Sequence, residues 1–483
     1  MAGRQPVRDR PVSWIDLIEI GLDPDDCRPL FQQLHLALRD LIARRVVPAG
    51  TRLPATRILA DRLGVSRTTV VAAYDQLQAE GVVAGRVGAG TYVAAGIEAE
   101  EQPAAPAESP ARTAATTWRS ETVPFAAGFC GMHPATERAW GRLVQRHLRG
   151  IGIRQRAYGD PMGHRPLREA LAEYLRVARS VDCDADRIAI VSGSQQGLDL
   201  VLRSVAEAGD PAWIEDPCYP AALACLRQHR LRITPVPVDA QGLDVAAGLA
   251  LEPGARLVYC TPTHHYPLGV AMSLPRRLAL LDWARDGRWV IEDDYDSEFR
   301  FSGRPLSALQ GLDRHGRVVY IGTLSKVLFP GLRTGYVVLP PGLVDRFAAI
   351  RNAADRFPST ILDDVLVDFI NEGHFTRHIR RMRQEYGERR ERLIAALAAE
   401  VGEHLTVAPI DRGMYIVADL RSGLDDVAVA EAARRRGLVV RPLSPMHIAA
   451  PPRQALILGF TGFPPQALDA AARTLGAVLR GFR

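Results

Sequence analysis

Residues 317–340 read RVVYIGTLSKVLFPGLRTGYVVLP. Two short β-branched runs, RVVYIGTLS (317–325) and GYVVLP (335–340), flank a polar turn that carries a lysine. Working outward, the same kind of run recurs as RWVIEDD (288–294), RLVYCTP (256–262), AWIEDP (212–217) and RIAIVSG (187–193). Between the runs lie helical patterns such as LDLVLRSVAEAG (198–209) and PRRLALLDWARDG (275–287). Strand-like runs alternating with amphipathic helices predict an α/β fold with a doubly wound, mainly parallel sheet. Beyond about residue 374 the pattern changes to a long Arg-rich helix. It is followed by TVAPI (406–410), GMYIVADL (413–420), GLVVRPL (437–443) and QALILGF (454–460), which predict a smaller α+β domain.

The lysine in the first stretch, Lys326, is the only one in the chain; the other 59 of the 60 basic residues are arginine. Arginine replaces most surface lysines at little cost, so a surviving lysine marks a place where arginine fails. A guanidinium stays charged and cannot form an imine, whereas a buried amine can lose its proton and attack a carbonyl. The turn after a strand of a parallel sheet is also where such folds present ligands.

At 483 residues the chain is long enough for two or three domains. An apolar share of 47% and a charged share of 24% are those of a globular protein. No apolar run approaches the roughly 20 residues of a membrane span, and the first residues lack the apolar core of a secretory signal. Six scattered cysteines show no CxxC pair, so neither a zinc site nor a disulfide framework is indicated. A reduced, cytoplasmic setting is expected. Residues 1–27 form a polar lead-in and 28–93 a compact basic module. Residues 94–122, rich in Ala, Pro, Glu, Ser and Thr, form a linker that would span about 30 Å if flexible. The larger domain occupies 123–483.

The basic module holds nine arginines against four acids, a net charge that equals the +5 of the whole chain. That suits a phosphate backbone. Its sequence predicts a helix ending before Pro48, then a helix over Arg57–Leu63 stopped by Gly64. A second, capped by Ser66, runs over Arg67–Glu80 to Gly81. Helix, glycine turn and helix make a helix-turn-helix, with Arg67, Thr68 and Thr69 at the end of the second helix that reads bases. VVAGRVGAGTYVA then predicts a hairpin wing carrying Arg86, and Arg52 and Arg57 are candidate phosphate contacts.

The larger domain offers the groups that a pyridoxal 5'-phosphate site requires: an amine, a carboxylate for the pyridine nitrogen, a phosphate cup, a stacking ring and a donor for the phenolic oxygen. Lys326 supplies the amine. Asp293 or its neighbour Asp294 supplies the carboxylate, and Tyr295 is placed to donate. Ser194 and Gln195, opening a helix in VSGSQQGLDLVLRSV, offer N–H groups to a phosphate. Thr323, Ser325 and Arg333 add hydroxyls and a guanidinium. Tyr219, in EDPCYP, is the candidate stacking ring.

Two family resemblances rest on these residues. Gly50, Leu53–Pro54, Arg57, Leu59–Ala60, Leu63 to Arg67, Thr69–Val70, Ala73–Tyr74, Leu77, Gly81 and Gly90–Thr91–Tyr92 resemble the GntR-type winged helix, which implies a double-stranded DNA operator as partner and adds Tyr74 to the candidate DNA residues. YGDPMGHRPLREALAEYL, SGSQQGLDL, EDPCYP, TPTHHYPLG, EDDYDSEFR and TLSKVLFPGLRTGY resemble fold-type I aminotransferases. Together, residues 28–483 resemble the MocR/GabR subfamily of GntR regulators. The resemblance implies a Schiff base at Lys326, Asp293 on the pyridine nitrogen, Tyr219 stacking, Thr323, Ser325 and Arg333 near the phosphate, and a head-to-tail homodimer. Two departures stand out. Tyr266 occupies the usual asparagine position before P-x-G, so His264 or another group would contact the phenolic oxygen. Ile457 stands where such enzymes carry an arginine for the substrate carboxylate, leaving Arg441 and Arg453 as substitutes. Three readings follow: a regulator sensing a small amine or amino-acid effector, a working aminotransferase with a DNA-binding appendage, or a sensor of the cofactor itself. The winged helix has no catalytic use, which favours a regulator.

Overall fold

The computed structural model describes residues 20–23, 26–86, 90–95, 123–150, 152, 156–303, 306–421 and 423–482. The chain divides into two compact units, Met1–Trp118 and Arg119–Arg483. The expected linker lies almost wholly outside the described residues, as does the tip of the hairpin wing.

In the first unit, α1 (Leu30–Ala43), α2 (Thr56–Leu63) and α3 (Arg67–Ala79) precede an antiparallel hairpin of β1 (Val83–Arg86) and β2 (Gly90–Val93). Leu34, Leu38 and Ile42 make one face of α1 and bury against Val70, Ala73, Tyr74 and Leu77 of α3. Gly64 ends α2 at φ +67°, where a side chain would be strained. Ser66 caps α3 as expected, its Oγ accepting the Thr69 N–H at 3.1 Å. Ser66→Ala should therefore cost this unit about 1 kcal/mol. Amides of α3 that exchange through opening of the unit should exchange roughly fivefold faster. Unchanged exchange would mean that the cap contributes nothing.

In the second unit, β3 (Ile188–Val191), β4 (Pro211–Asp216), β5 (Arg232–Asp239), β6 (Gly242–Leu243), β7 (Leu257–Cys260), β8 (Trp289–Asp294), β9 (Val318–Thr323) and β10 (Gly335–Val338) form one sheet in the order β3-β10-β9-β8-β7-β4-β5-β6. The run β5-β4-β7-β8-β9 is parallel. β10 is reversed between β9 and β3. Its connection from β9 is too short for a parallel crossover, which takes a dozen or more residues. β3, β7, β9 and β10 are buried at every position, as strands covered by helices on both faces must be. A 28-residue helix, His374–Val401, leads into an antiparallel sheet of β11 (Leu405–Val407), β12 (Tyr415–Leu420), β13 (Arg441–Pro442) and β14 (Ala455–Gly459), in the order β11-β12-β14-β13. GLVVRPL keeps only two strand residues, since Pro442 has no N–H to extend the ladder. No helix among the described residues is long and apolar enough to cross a membrane.

Candidate functional site

β9 ends at Thr323, and the turn that follows holds Lys326. Gly128, at φ +87°, leaves the amine its room: a Cβ there would lie 2.3 Å from Lys326 Nζ. Burial holds the Lys326 pKa below the usual lysine value, and the nearby Arg441 charge acts the same way. Cys130, Asp296 and Asp293 oppose them. More of the amine is thus neutral and nucleophilic. Cys130 pins the lysine backbone, its thiol donating to Lys326 O at 3.1 Å.

Across from Lys326, the end of β8 presents two adjacent carboxylates with different fates. Asp294 Oδ2 accepts from Arg179 Nη2 at 2.6 Å and from Tyr320 OH at 2.7 Å, so it is locked in a buried ion pair. Asp293 Oδ2 accepts from Tyr259 OH at 2.6 Å, while its Oδ1 is buried with no partner among the described residues. Burial raises the Asp293 pKa to about 6, against the Tyr259 hydrogen bond. A buried acceptor without a donor is costly. A protonated pyridine nitrogen is the kind of donor it lacks, and of the two candidates only Asp293 has this vacancy.

The phosphate-type groups also converge. Gly193, at φ +95°, turns the chain out of β3 into the helix Ser194–Val205, whose first N–H groups have no intrahelical acceptor. Arg333, in the left-handed region at φ +51°, donates from Nη2 to Ser192 O at 2.8 Å, which sets its guanidinium at that helix start. A Cβ on Gly193 would lie 3.3 Å from the guanidinium carbon. Thr323 Oγ1 accepts the Ser325 N–H at 3.1 Å, and Ser325 Oγ is buried with no partner among the described residues. Gln195 Nε2 donates to Ala221 O at 3.0 Å, which turns the amide toward that carbonyl and leaves the backbone N–H at the helix start. Two orphaned buried atoms, Asp293 Oδ1 and Ser325 Oγ, with a helix start and an arginine, fit pyridoxal phosphate by the chemistry of the donor set.

Tyr219 caps the helix Pro220–Gln228 and is half-buried, close enough to Asp293 and Arg333 for both charges to act on its phenol. Its ring meets Tyr266 edge-on, centroids 5.4 Å apart. Tyr295 OH lies 3.1 Å from both His264 Nδ1 and Tyr415 OH. His264 does not point a free Nδ1 into the site, because Asp296 Oδ1 takes it at 2.7 Å. The sequence reading missed Tyr259, Gly128, Asp296 and Tyr415. Arg441 reaches Tyr266 OH at 3.2 Å and its charge is felt by Lys326 and Tyr219. Arg453 is a correction: its guanidinium binds Asp419, with Nη2 to Oδ2 at 2.6 Å, and it is not part of this cluster.

In the first unit, Ser66, Arg67 and Thr68 are exposed at the start of α3, and Thr69 is half-buried. Arg52 and Arg57 are exposed; a Cβ on Gly90 would lie 3.0 Å from Arg52 Nε, so Arg52 lies along the base of the wing. Arg86 lies over the Tyr92 ring at 4.8 Å. Tyr74 is a second correction. It is buried, and its OH donates to Pro54 O at 3.0 Å, tying α3 to the loop before α2. It cannot face DNA.

Residues 30–93 match the family of bacterial regulatory proteins, gntR family, and residues 134–475 match aminotransferase class I and II. The chain is 38% identical to the "probable rhizopine catabolism regulatory protein MocR" of Rhizobium meliloti, over 94% of each chain. It is 33% identical to an uncharacterized HTH-type transcriptional regulator, YdeL, of Bacillus subtilis, over 90% of this chain and 93% of that one. Among solved structures it is similar to LysN, an alpha-aminoadipate aminotransferase of Thermus thermophilus complexed with N-(5'-phosphopyridoxyl)-L-leucine. The TM-score is 0.68 at 27% identity, covering 75% of this chain and 93% of that one.

Proposed function

The chain belongs to the GntR family of bacterial regulators that carry an aminotransferase class I and II domain, and from that premise we propose that a small amine or amino acid, by exchanging with Lys326, sets its affinity for its operator. The protein is a DNA-binding transcriptional regulator, and its larger unit binds pyridoxal phosphate. The observation that carries the sensing role is the state of Lys326. It is the sole lysine, desolvated, beside two buried polar atoms that have no partner among the described residues.

When bound, pyridoxal phosphate supplies an aldehyde for reversible exchange between amines, on a ring that withdraws electrons. The chain's own residues do the rest. Asp293 Oδ1 would accept from the pyridine nitrogen, the Ser194 helix start with Ser325, Thr323 and Arg333 would hold the phosphate, and Tyr219 would cover the ring. Tyr295, whose OH meets Tyr415 and His264, would hold a proton toward the cofactor's hydroxyl. An amine from solution would take the place of Lys326, and its differential affinity for two conformations of a head-to-tail homodimer would alter DNA binding. On the DNA side, Arg67, Thr68 and Thr69 read bases, while Arg52, Arg57, the Ser66 turn and Arg86 position the backbone.

Operator binding measured by fluorescence anisotropy, with saturating pyridoxal phosphate and with or without candidate amines, tests this reading. An amine-dependent change in affinity supports it; multi-turnover exchange between amino and keto acids with unchanged DNA binding would point to an enzyme instead. The same assay separates the arginines. Arg67→Ala should cost about 1–3 kcal/mol and relax preference at one base pair, whereas Arg52→Ala should weaken all sequences alike and lower the salt slope by about 1. Unchanged operator affinity for Arg67→Ala would exclude α3 as the reading helix.

A further inference from the structure

We propose that Asp199, Cys225 and His229 bind a divalent cation of the zinc class, and that this ion ties together the two helices whose first turns meet the cofactor. The inference stands apart from the amine-exchange role given to Lys326 and needs only the larger unit's hold on pyridoxal phosphate.

The ligands come from two neighbouring helices. Cys225 lies in the last turn of the helix Pro220–Gln228, and His229 is the residue that ends it. Four residues apart, they share one face. Asp199 reaches them from the helix Ser194–Val205, its Oδ1 2.9 Å from His229 Nε2. The ligand atoms of the three residues all lie within 4.8 Å of one another. Around a tetrahedral zinc ion, nitrogen and oxygen at about 2.0–2.2 Å stand roughly 3.3 Å apart, and a sulfur at about 2.3 Å stands slightly farther off. The trio therefore needs only small side-chain shifts to close on an ion. No CxxC spacing announced the site, because the fold supplies the third ligand from 30 residues before His229.

The donor set selects the ion. A thiolate, an imidazole and a carboxylate suit zinc and its neighbours in the transition series rather than magnesium or calcium, which take oxygen ligands. Three protein ligands leave a fourth position for water. Cys225 is free and buried among Leu198, Ala222 and Leu226, whereas Asp199 and His229 are half-buried, so an ion can enter from solvent. The last carbonyls of the helix Pro220–Gln228 favour a cation at that end. Without an ion the thiol holds its proton, because burial, with the Asp199 charge adding to it, pushes its pKa up to about 12. The ion takes the thiolate and the proton passes to solvent; nothing is oxidised or reduced. Arg203 is the resident competitor, its Nη2 3.0 Å from Asp199 Oδ2.

The same helices begin at the cofactor. Ser194 opens one at the phosphate cup, and Tyr219 caps the other. Gln195 Nε2 joins their first turns through Ala221 O. Asp199 and His229 join them again farther along. An ion replaces that single hydrogen bond by three metal bonds and so fixes the two helix starts relative to each other. Metal should then raise cofactor affinity, and cofactor should raise metal affinity by the same factor.

The test uses full-length protein loaded with pyridoxal phosphate, in a Cys27→Ser background that removes the exposed thiol. Dialysis against chelator-buffered Zn2+ should find one ion per chain, and Mg2+ should not replace it. Co2+ should give a thiolate-to-metal band and the intense visible bands of four-coordination, read after subtraction of the Cys225→Ser spectrum. His229→Asn, on the half-buried flank, should weaken zinc binding by more than about 100-fold, since loss of a mere supporting partner costs about 10- to 100-fold. Arg203→Gln should tighten it about two- to fivefold by releasing Asp199 from a partly exposed ion pair. Chelating the zinc should lower pyridoxal phosphate affinity about fivefold or more in the parent protein and leave it unmoved in His229→Asn.

Zinc that fails to bind, that binds His229→Asn as tightly as the parent, or that yields a cobalt spectrum without the thiolate band would overturn the site. Zinc held there with cofactor affinity unchanged by its removal would overturn the tie between the helices. Neither outcome depends on any response to amines.

Discussion

Lys326→Ala abolishes covalently held cofactor: the purified variant, incubated with pyridoxal phosphate, shows no visible absorbance, and borohydride adds no mass to it. The expected loss at the site is complete rather than graded, because no second side-chain amine exists to take over; the remaining 59 basic residues are guanidinium groups. Lys326→Arg is the sharper variant. It keeps length, charge and much of the volume, and on a surface it would be silent. Here it should fail as fully as alanine, since a guanidinium cannot form an imine. Gly128 limits the room at the amine's tip, so the bulkier group also meets backbone. Far-UV circular dichroism should stay native, because replacing Lys326 removes a desolvated amine and no core contact on which β9 depends. Operator binding without amine should persist, and amine dependence should vanish. A Lys326→Arg protein that keeps the band, or keeps its response to amines, would overturn the functional reading of the site.

Much of this was legible in the sequence for a physical reason: a composition drifted almost wholly to arginine makes a single amine conspicuous. Strand-end turns announce themselves by β-branched runs, so Lys326, Asp293 and the Ser194 helix start could be placed before any contact was known. Other features depend on partners far away in the chain. Asp293 and Asp294 are neighbours on one strand and project to opposite faces. Which face holds the site is decided by Arg179, 115 residues away from Asp294. Tyr295 and Tyr415 are 120 residues apart, and nothing local pairs them. Tyr74 is a different case. Val70, Ala73, Tyr74 and Leu77 follow helical spacing, so its burial was readable and the family likeness obscured it. The reversal of β10 was readable too, from the short connection that carries Lys326. Arg441 against Arg453 was not, because the choice turns on a two-residue strand that Pro442 hides.

Asp293→Asn should separate stability from function at one oxygen. Without cofactor, Asp293 is a liability above acid pH. Its pKa in the folded protein is raised from 3.8 to about 6, chiefly by burial, with the charges of Asp294 and Asp296 adding to the rise and the Tyr259 hydrogen bond and Lys326 opposing it. Between those values the folded state holds a proton that the unfolded state has released, so stability falls as pH rises through this window and levels off above it. A shift of that size corresponds to roughly 3 kcal/mol. Asparagine does not titrate. It keeps an acceptor for Tyr259 OH, but it buries an amide N–H that lacks a partner, at a cost of about 1–3 kcal/mol at every pH. The difference in melting temperature between Asn and Asp proteins, both stripped of cofactor, should therefore move in favour of Asn from pH 4 to pH 7. A difference that is flat with pH would mean that Asp293 is not a buried carboxyl of raised pKa. With pyridoxal phosphate present the order should invert. The carboxylate then faces a protonated pyridine nitrogen, a charge-assisted hydrogen bond that asparagine cannot make. Cofactor affinity of the Asn protein should fall about 10- to 100-fold. The same oxygen thus destabilises the empty fold and holds the ring, and only the carboxylate that Arg179 does not occupy can show both effects.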